Sequence, residues 1–201
     1  MTLVIADDSI GSPPPAAPAR PRILLIGTGF ALAGIAMAFA GLIGLYIGRR
    51  AAAIEANQPW LPQGVTIDLT PGNVALVGLV ISSVVIQWAV YSIANDDRPR
   101  AYLALGLTVL LGGAYINGMA FNYTQMGITV HETVGLLIFT ITGAHLAMAG
   151  AGMLFVGLMA FRALGGQYSG RDREGIVAAA MYWHVTVLIY VVIWFAIFVT
   201  K

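Results

Sequence analysis

Five long apolar stretches limit what this chain can fold into more than any other feature of its sequence. Hydropathy places them at residues 23–47, 74–94, 101–121, 134–164 and 176–199. A helix of about 20 apolar residues is long enough to cross the hydrocarbon core of a bilayer. Only 9% of the residues are charged, against about 25% in an ordinary soluble domain. The predicted fold class is therefore an all-α integral membrane protein, a bundle of five transmembrane helices.

The segment before the first apolar stretch differs in composition from the rest of the chain. Residues 1–22 are rich in proline, carry acidic residues ahead of the arginines and contain no apolar segment of the kind found in signal peptides. We predict two regions, a flexible N-terminal tail at residues 1–22 and a membrane domain at residues 23–201.

The distribution of basic residues predicts how the helices cross the membrane. Five spans place the two termini on opposite sides, so the loops fall into two sets. The set that includes the N-terminus carries Arg20, Arg22, Arg98, Arg100, Arg162, Arg171 and Arg173. The other set carries Arg49, Arg50 and Lys201. Because basic residues accumulate on the cytoplasmic side of membrane proteins, we predict a cytoplasmic N-terminus and a C-terminus on the outer side.

The charged residues and the lack of cysteine exclude several classes of function. A net charge of +1 gives little attraction for nucleic acid, and without cysteine there is no disulfide or iron–sulfur cluster. Every acidic residue, from Asp7 to Glu174, falls in the tail, in a loop or at the end of a span. Because proton carriers usually need ionisable groups inside the bilayer, this chain is a poor candidate for moving protons by itself.

Two histidines are predicted to lie deep in the membrane. His184 lies about 15 Å along a helix from Glu174, and His145 about 17 Å from the outer end of its span. An imidazole in hydrocarbon needs a hydrogen-bonding partner. Either the pair ligates one haem b from opposite faces, or each histidine forms a structural hydrogen bond between helices, which is the commoner role in membranes.

Glycines recur at intervals of seven residues in two of the spans. The first series is Gly27, Gly34, Gly41 and Gly48, and the second is Gly143, Gly150 and Gly157. Small residues on one stripe of a helix let a neighbouring helix approach closely. Both series therefore predict packing seams.

The loop before the fourth span contains a helix-start signal. Thr129 and Glu132 have the spacing of a capping box, in which the two side chains bond to free amides of the first turn. His131 and Glu132 are a weaker candidate for a metal site, because two adjacent ligand types without a third nearby are poor support for one.

Motifs in four of the spans resemble subunit III of the haem-copper oxidases, the cytochrome c oxidase subunit III family. They are Phe39-Ala40-Gly41-Leu42 with Tyr46, Leu111-Gly112, Tyr123, Gly143-Ala144-His145 and Tyr182-Trp183-His184. Their order and spacing, and the number of spans, agree with the five-helix form of that family over residues 28–201.

The resemblance implies an architecture and a set of partners. The first two helices would splay from the other three around a cleft filled by phospholipid. Haem and copper would belong to partner subunits, and this chain would carry no catalytic or metal-binding residue. It would pack against catalytic subunit I and other oxidase subunits in the inner or plasma membrane of the cell. Whether that oxidase is part of a respiratory supercomplex stays open. Lipid or structural polar contacts would be made by His145, His184, Tyr182, Trp183, Asn122 and Tyr123.

The chain departs from the pattern of the family at its buried ionisable positions. Ile35 and Asn122 replace glutamates, Thr142 replaces a histidine and Val187 replaces an aspartate. We therefore predict a non-catalytic subunit of a cytochrome c oxidase that stabilises the catalytic subunit and retains lipid rather than transferring protons. Two alternatives stay open: a haem b-binding anchor that uses His145 and His184, and a subunit III-like partner of a nitric oxide reductase.

Overall fold

The computed structural model describes residues 22–200, which fold into five long helices. These are α1 (Ile23–Glu55), α2 (Leu69–Ala94), α3 (Arg98–Gln125), α4 (Thr133–Leu164) and α5 (Glu174–Ile193), which continues as a short π-helix, Trp194–Val199. All five are long and apolar enough to cross a membrane, and no strand occurs in the described residues. The predicted all-α, five-helix membrane fold is confirmed. Residues 1–21 of the predicted tail lie outside the described residues.

Short acidic side chains fix where two of the helices begin. Asp68 precedes α2, and its carboxylate accepts a hydrogen bond from the Thr70 amide at 2.9 Å. Asp97 precedes α3 and accepts one from the Arg100 amide at 3.4 Å. Such caps satisfy amide groups that have no partner inside their own helix.

The start of α4 differs from the sequence prediction. α4 begins at Thr133, and no side chain caps it. Instead the Glu132 amide donates to the Thr129 carbonyl at 3.4 Å, and this carbonyl lies so close to Gly135 that a Cβ there would collide with it. The capping-box prediction is wrong, because the backbone of the loop folds back over the first turn and takes the place of the predicted side chains.

α5 lies at the centre of the bundle and α1 at its edge. α5 packs against α1, α2 and α4, while α3 packs against α2 and α4. In the most apolar stretch of each helix, 56% of the residues of α5 are buried, against 17% in α1. Side chains of α5 therefore decide how the other helices meet.

The first two helices do not separate from the other three as a pair, which differs from the expected splayed arrangement. α2 packs against α3 and α5, whereas α1 packs against α5 and α4 and scarcely contacts α2. The connections explain this difference. The turn from Asn95 to Asp97 is so short that α2 and α3 must be neighbours, whereas the longer segment at residues 56–68 lets α1 lie on the other side of α5.

The glycines that allow close packing are not those of the predicted seams. A Cβ added at Gly27, Gly34, Gly41, Gly48, Gly143, Gly150 or Gly157 would have no described atom within 4 Å. A Cβ at Gly72 or Gly112 would instead lie 2.7 Å from Phe198 or Trp183. The predicted seams are therefore wrong as contacts within this chain, because both series face away from the bundle.

Candidate functional site

The indole of Trp183 fills the centre of the bundle. Its side chain is fully buried, and its Nε1 donates a hydrogen bond to the Ser82 hydroxyl at 2.8 Å. The ring has room because two neighbouring helices present glycines to it: a Cβ at Gly112 would approach it to 2.7 Å and one at Gly152 to 3.0 Å. Trp183 thus joins α2, α3, α4 and α5 through one side chain.

His145 lies nearby in a closed hydrogen-bonded group. Its Nε2 lies 2.9 Å from the Thr186 carbonyl, and its Nδ1 lies 2.7 Å from the Tyr115 hydroxyl. A carbonyl can only accept, so Nε2 carries the proton and, in the neutral ring, Nδ1 accepts from Tyr115. The rings of Phe39 and Tyr190 pack on the imidazole with centroids 6.1 and 5.3 Å away. Side chains and backbone of α1, α3, α4 and α5 therefore seal His145.

His184 lies on another face of α5 and is only half-buried. Its Nδ1 lies 2.7 Å from the Ser83 hydroxyl, and its Nε2 lies 3.2 Å from Oε1 of Gln87. Both partners belong to α2, and Gln87 is exposed. We call Ser83, Gln87 and His184 the α2–α5 polar cluster. Unlike the group around His145, it reaches the outer surface of the bundle.

The remaining predicted contact residues bond to neighbouring helices or lie buried beside them. Tyr182 donates to the Met148 carbonyl at 3.1 Å. Tyr123 donates to the Thr142 hydroxyl at 2.7 Å, which itself donates to the Ile138 carbonyl. Asn122 is 4% exposed, and its Nδ2 has no hydrogen-bonding partner among the described residues. Thr142 and Tyr123 therefore form a polar link between α3 and α4.

Polar links at the helix ends were missed by reasoning from the sequence. Glu174 accepts a hydrogen bond from the Leu25 amide at 2.9 Å, so one carboxylate lies between the first turns of α1 and α5. Asp96 accepts one from the Gly170 amide at 2.7 Å and joins the two loops on this side. Tyr168, in the same loop, donates to the sulfur of Met159 at 2.9 Å, and burial raises the pKa of its hydroxyl.

Two partners of His184 were also missed, although the sequence holds a signal for them. Ser83 and Gln87 are polar residues four positions apart within an apolar span, a spacing that places both on one face of a helix. Such a pair predicts a polar contact with another helix, but the sequence does not say which helix supplies it.

The geometry does not fit a haem held between His145 and His184. Both ring nitrogens of His145 are bonded to the protein, and aromatic rings occupy the space around it. Both ring nitrogens of His184 bond to α2, on another face of α5. His131 and Glu132 likewise belong to no group of three or more His, Cys, Asp or Glu side chains that could hold a metal within residues 22–200.

Comparison with known proteins agrees with the motifs. Residues 23–200 match the family model for cytochrome c oxidase subunit III. The chain is 28% identical to cytochrome c oxidase subunit 3 of Corynebacterium diphtheriae over 100% of this chain and 98% of that protein. It is 32% identical to the Strongylocentrotus purpuratus subunit 3 over 74% of this chain, and 30% identical to that of Xenopus laevis over 76%.

The animal relatives are longer proteins. The matched region spans 58% of the Strongylocentrotus purpuratus protein and 60% of the Xenopus laevis protein, whereas the bacterial relative matches this chain over nearly its whole length. The family match extends over all five helices described above. The chain therefore belongs to the cytochrome c oxidase subunit III family.

Proposed function

We propose that this chain is an accessory, non-catalytic subunit of a respiratory haem-copper oxidase, a cytochrome c oxidase. In this role it stabilises the catalytic subunit I and retains phospholipid, while haem and copper are held by partner subunits. Family membership and the names of its relatives support this assignment. Departures from the family pattern at Ile35, Asn122, Thr142 and Val187 favour assembly over proton transfer.

One observation carries the non-catalytic part of the proposal. The buried polar side chains of residues 22–200 are Thr28, Ser82, Ser92, Thr108, Asn122, Thr142, His145 and Thr186, and none is a carboxylate. The one histidine among them has both nitrogens bonded within the protein. A chain that moves protons needs groups that exchange them at several depths. These helices instead hold neutral polar groups, most of them hydrogen-bonded within the protein, which suits a scaffold.

A cavity at the outer ends of α1 and α4 supports the retention of phospholipid. It has a volume of about 580 Å³ and is lined by residues that include Arg49, Trp60 and Glu132. An arginine of α1 and a carboxylate at the start of α4 suit the phosphate and the cationic group of a zwitterionic headgroup. Tryptophan is enriched at this level of a membrane. The cavity is therefore our candidate for the headgroup site.

The proposed orientation has the N-terminus in the cytoplasm of the cell and the C-terminus on the outer side of its inner or plasma membrane. Arg22, Arg98, Arg162 and Arg173 lie at the helix ends on one side, and Arg49 and Arg50 lie near the other end of α1. The positive-inside rule assigns the first, larger group to the cytoplasm.

Affinity purification through a tag on this chain tests the proposed function. We expect a catalytic subunit that contains haem and copper to co-purify, and we expect the haem spectrum to stay with that subunit when the two are separated. Mass spectrometry identifies the partner. Recovery of a nitric oxide reductase, or of this chain with no haem-containing partner, would contradict the proposal.

A further inference from the structure

We infer that the outward face of α5, together with the α2–α5 polar cluster beside it, is the docking surface for one transmembrane helix of a partner subunit. This helix carries a hydrogen-bond acceptor at the level of Gln87. The inference rests on the proposed function, since it assigns the surface through which the accessory subunit contacts its complex.

The hydrogen bonds of the cluster run in one direction and end at the surface. Oε1 of Gln87 can only accept, so Nε2 of His184 donates to it and Nδ1 accepts from the Ser83 hydroxyl. This leaves the amide NH₂ of Gln87 as the last donor of the series. It has no acceptor among the described residues, and its side chain is exposed. The series therefore requires an acceptor from outside residues 22–200.

The depth of Gln87 indicates what supplies this acceptor. Gln87 lies eight residues before Asn95, about 12 Å along the helix from the turn that ends α2. Hydrocarbon offers no acceptor, and an unsatisfied amide there costs several kcal/mol. The polar groups of lipids lie outside the hydrocarbon core. A helix of another subunit can supply the acceptor, because even a carbonyl inside a helix can take a second hydrogen bond, as those of Thr186 and Met148 do here. A polar side chain or a backbone carbonyl of another helix at the same depth therefore satisfies the amide.

The apolar surface next to the cluster has room for such a helix. α1 and α2 flank α5 but scarcely contact each other, so a strip of α5 stays uncovered between them. Leu188 is 62% exposed and Phe195 57% exposed, and both lie within about 40° of His184 around the helix axis. A partner helix that lies along this strip places its side chains opposite Gln87.

A second copy of this chain that docked through α3 would not supply the acceptor. Asn117 of α3 is an exposed amide in the apolar part of another span. It lies 19 residues after Arg98, about 28 Å from the cytoplasmic end of α3. A copy with the same orientation therefore cannot bring Asn117 to the level of Gln87.

Two measurements on the tagged, intact complex test the inference. The first compares Gln87→Leu with Gln125→Leu, the same change at an exposed glutamine at the end of α3, where water is available. We expect Gln87→Leu to weaken retention of the partner subunits during detergent titration by about three- to tenfold, the range for one interhelical hydrogen bond. Gln125→Leu should leave retention unchanged. Equal retention in the two variants would overturn the inference.

The second measurement uses the photo-crosslinking amino acid benzoylphenylalanine in otherwise wild-type protein. Placed at Leu188 it should crosslink to another oxidase subunit, whereas at Leu154, which is 77% exposed on α4, it should not. Crosslinks from Leu188 to lipid alone or to a second copy would overturn the docking surface. If the wild-type chain purifies without any oxidase subunit, the proposed function fails, and this outcome is distinct from a wild-type complex that tolerates Gln87→Leu.

Discussion

His145 and His184 illustrate two different uses of one residue type within a single bundle. Each bonds through both ring nitrogens. The partners of His145 come from two other helices, and no part of its side chain is exposed. The partners of His184 come from one helix, and its bonds lead to the surface at Gln87.

The difference shows that a polar residue inside a membrane span is not by itself a functional centre. Where every bond closes within the chain, the group holds helices together. Where the series of hydrogen bonds ends at the lipid-facing surface, the last donor needs an acceptor from another molecule. The two histidines should therefore respond differently to substitution, one through folding and the other through assembly.

Replacing His145, the fully buried histidine, should have the largest effect on stability. His145→Leu removes two buried hydrogen bonds and leaves the Tyr115 hydroxyl without its partner. We expect a loss of about 2–4 kcal/mol in the free energy of unfolding, measured by thermal or denaturant unfolding in detergent. His131→Leu, at an exposed loop histidine, is the control and should change the stability by under about 0.5 kcal/mol. Similar losses in both would contradict the structural role of His145.

Two glycine substitutions, one inside the bundle and one on its open surface, should differ in their effect on stability, but by less than the two histidine substitutions do. A Cβ in Gly112→Ala would press on Trp183 and Met153 at 2.7 and 2.9 Å, so we expect a loss of about 1–3 kcal/mol. Gly150→Ala, where a Cβ has open space, should be neutral or slightly stabilising because alanine favours helix over glycine. The same unfolding measurement compares them, and a Gly150→Ala variant that is the less stable would reverse the assignment.

His184→Leu should affect assembly more than folding, in contrast to His145→Leu. Its side chain is half-buried and its partners are near the surface, so the stability of the isolated chain should fall by under about 1 kcal/mol. Retention of partner subunits should decrease, while turnover per assembled complex should stay near that of the wild type. Oxygen consumption per haem measures turnover, and subunit stoichiometry measures retention. A fully assembled but slowed oxidase would instead give His184 a part in turnover.

The smallest effect is expected at Ile35, where the resemblance to the family implies a glutamate. Ile35 is partly buried on α1, and Ile35→Glu should give no gain in turnover or in resistance to inactivation, since no buried carboxylate accompanies it in the described helices. Turnover during sustained oxygen consumption is the measurement, with Ile35→Gln as the control for size and polarity. A clear gain for the glutamate alone would show that proton handling can be restored.

Much of the fold could be predicted because length and hydropathy suffice to identify a membrane span. All five helices occur where the apolar stretches lie, although α1 extends to Glu55 through an alanine-rich segment that helix propensity favours. The motifs in four of the spans, Tyr182-Trp183-His184 among them, together indicated the family, and the family model matches residues 23–200.

The candidate site was only half predictable. His145, His184 and Trp183 could be selected because polar and aromatic groups are conspicuous in an apolar span. Their partners, Thr186 and Ser82, could not be selected, because a backbone carbonyl and a small hydroxyl carry no distinctive signal. Nothing in the sequence distinguishes Asp96 and Glu174 from ordinary loop residues. Their hydrogen bonds come from backbone amides of distant segments, which only the folded chain brings close to them.

By itself, the sequence determined the number of spans, the family and the absence of carboxylates from the middle of the spans. Only the tertiary structure decided which face of each helix points inward. In water a helix hides its apolar side, so the sequence marks the buried face. In a bilayer the outer face is apolar as well: Leu154 is 77% exposed while Val156, two residues later, is fully buried. The regular glycines could therefore be recognised as a stripe, but which glycines meet another helix depended on where Trp183 and Phe198 lie.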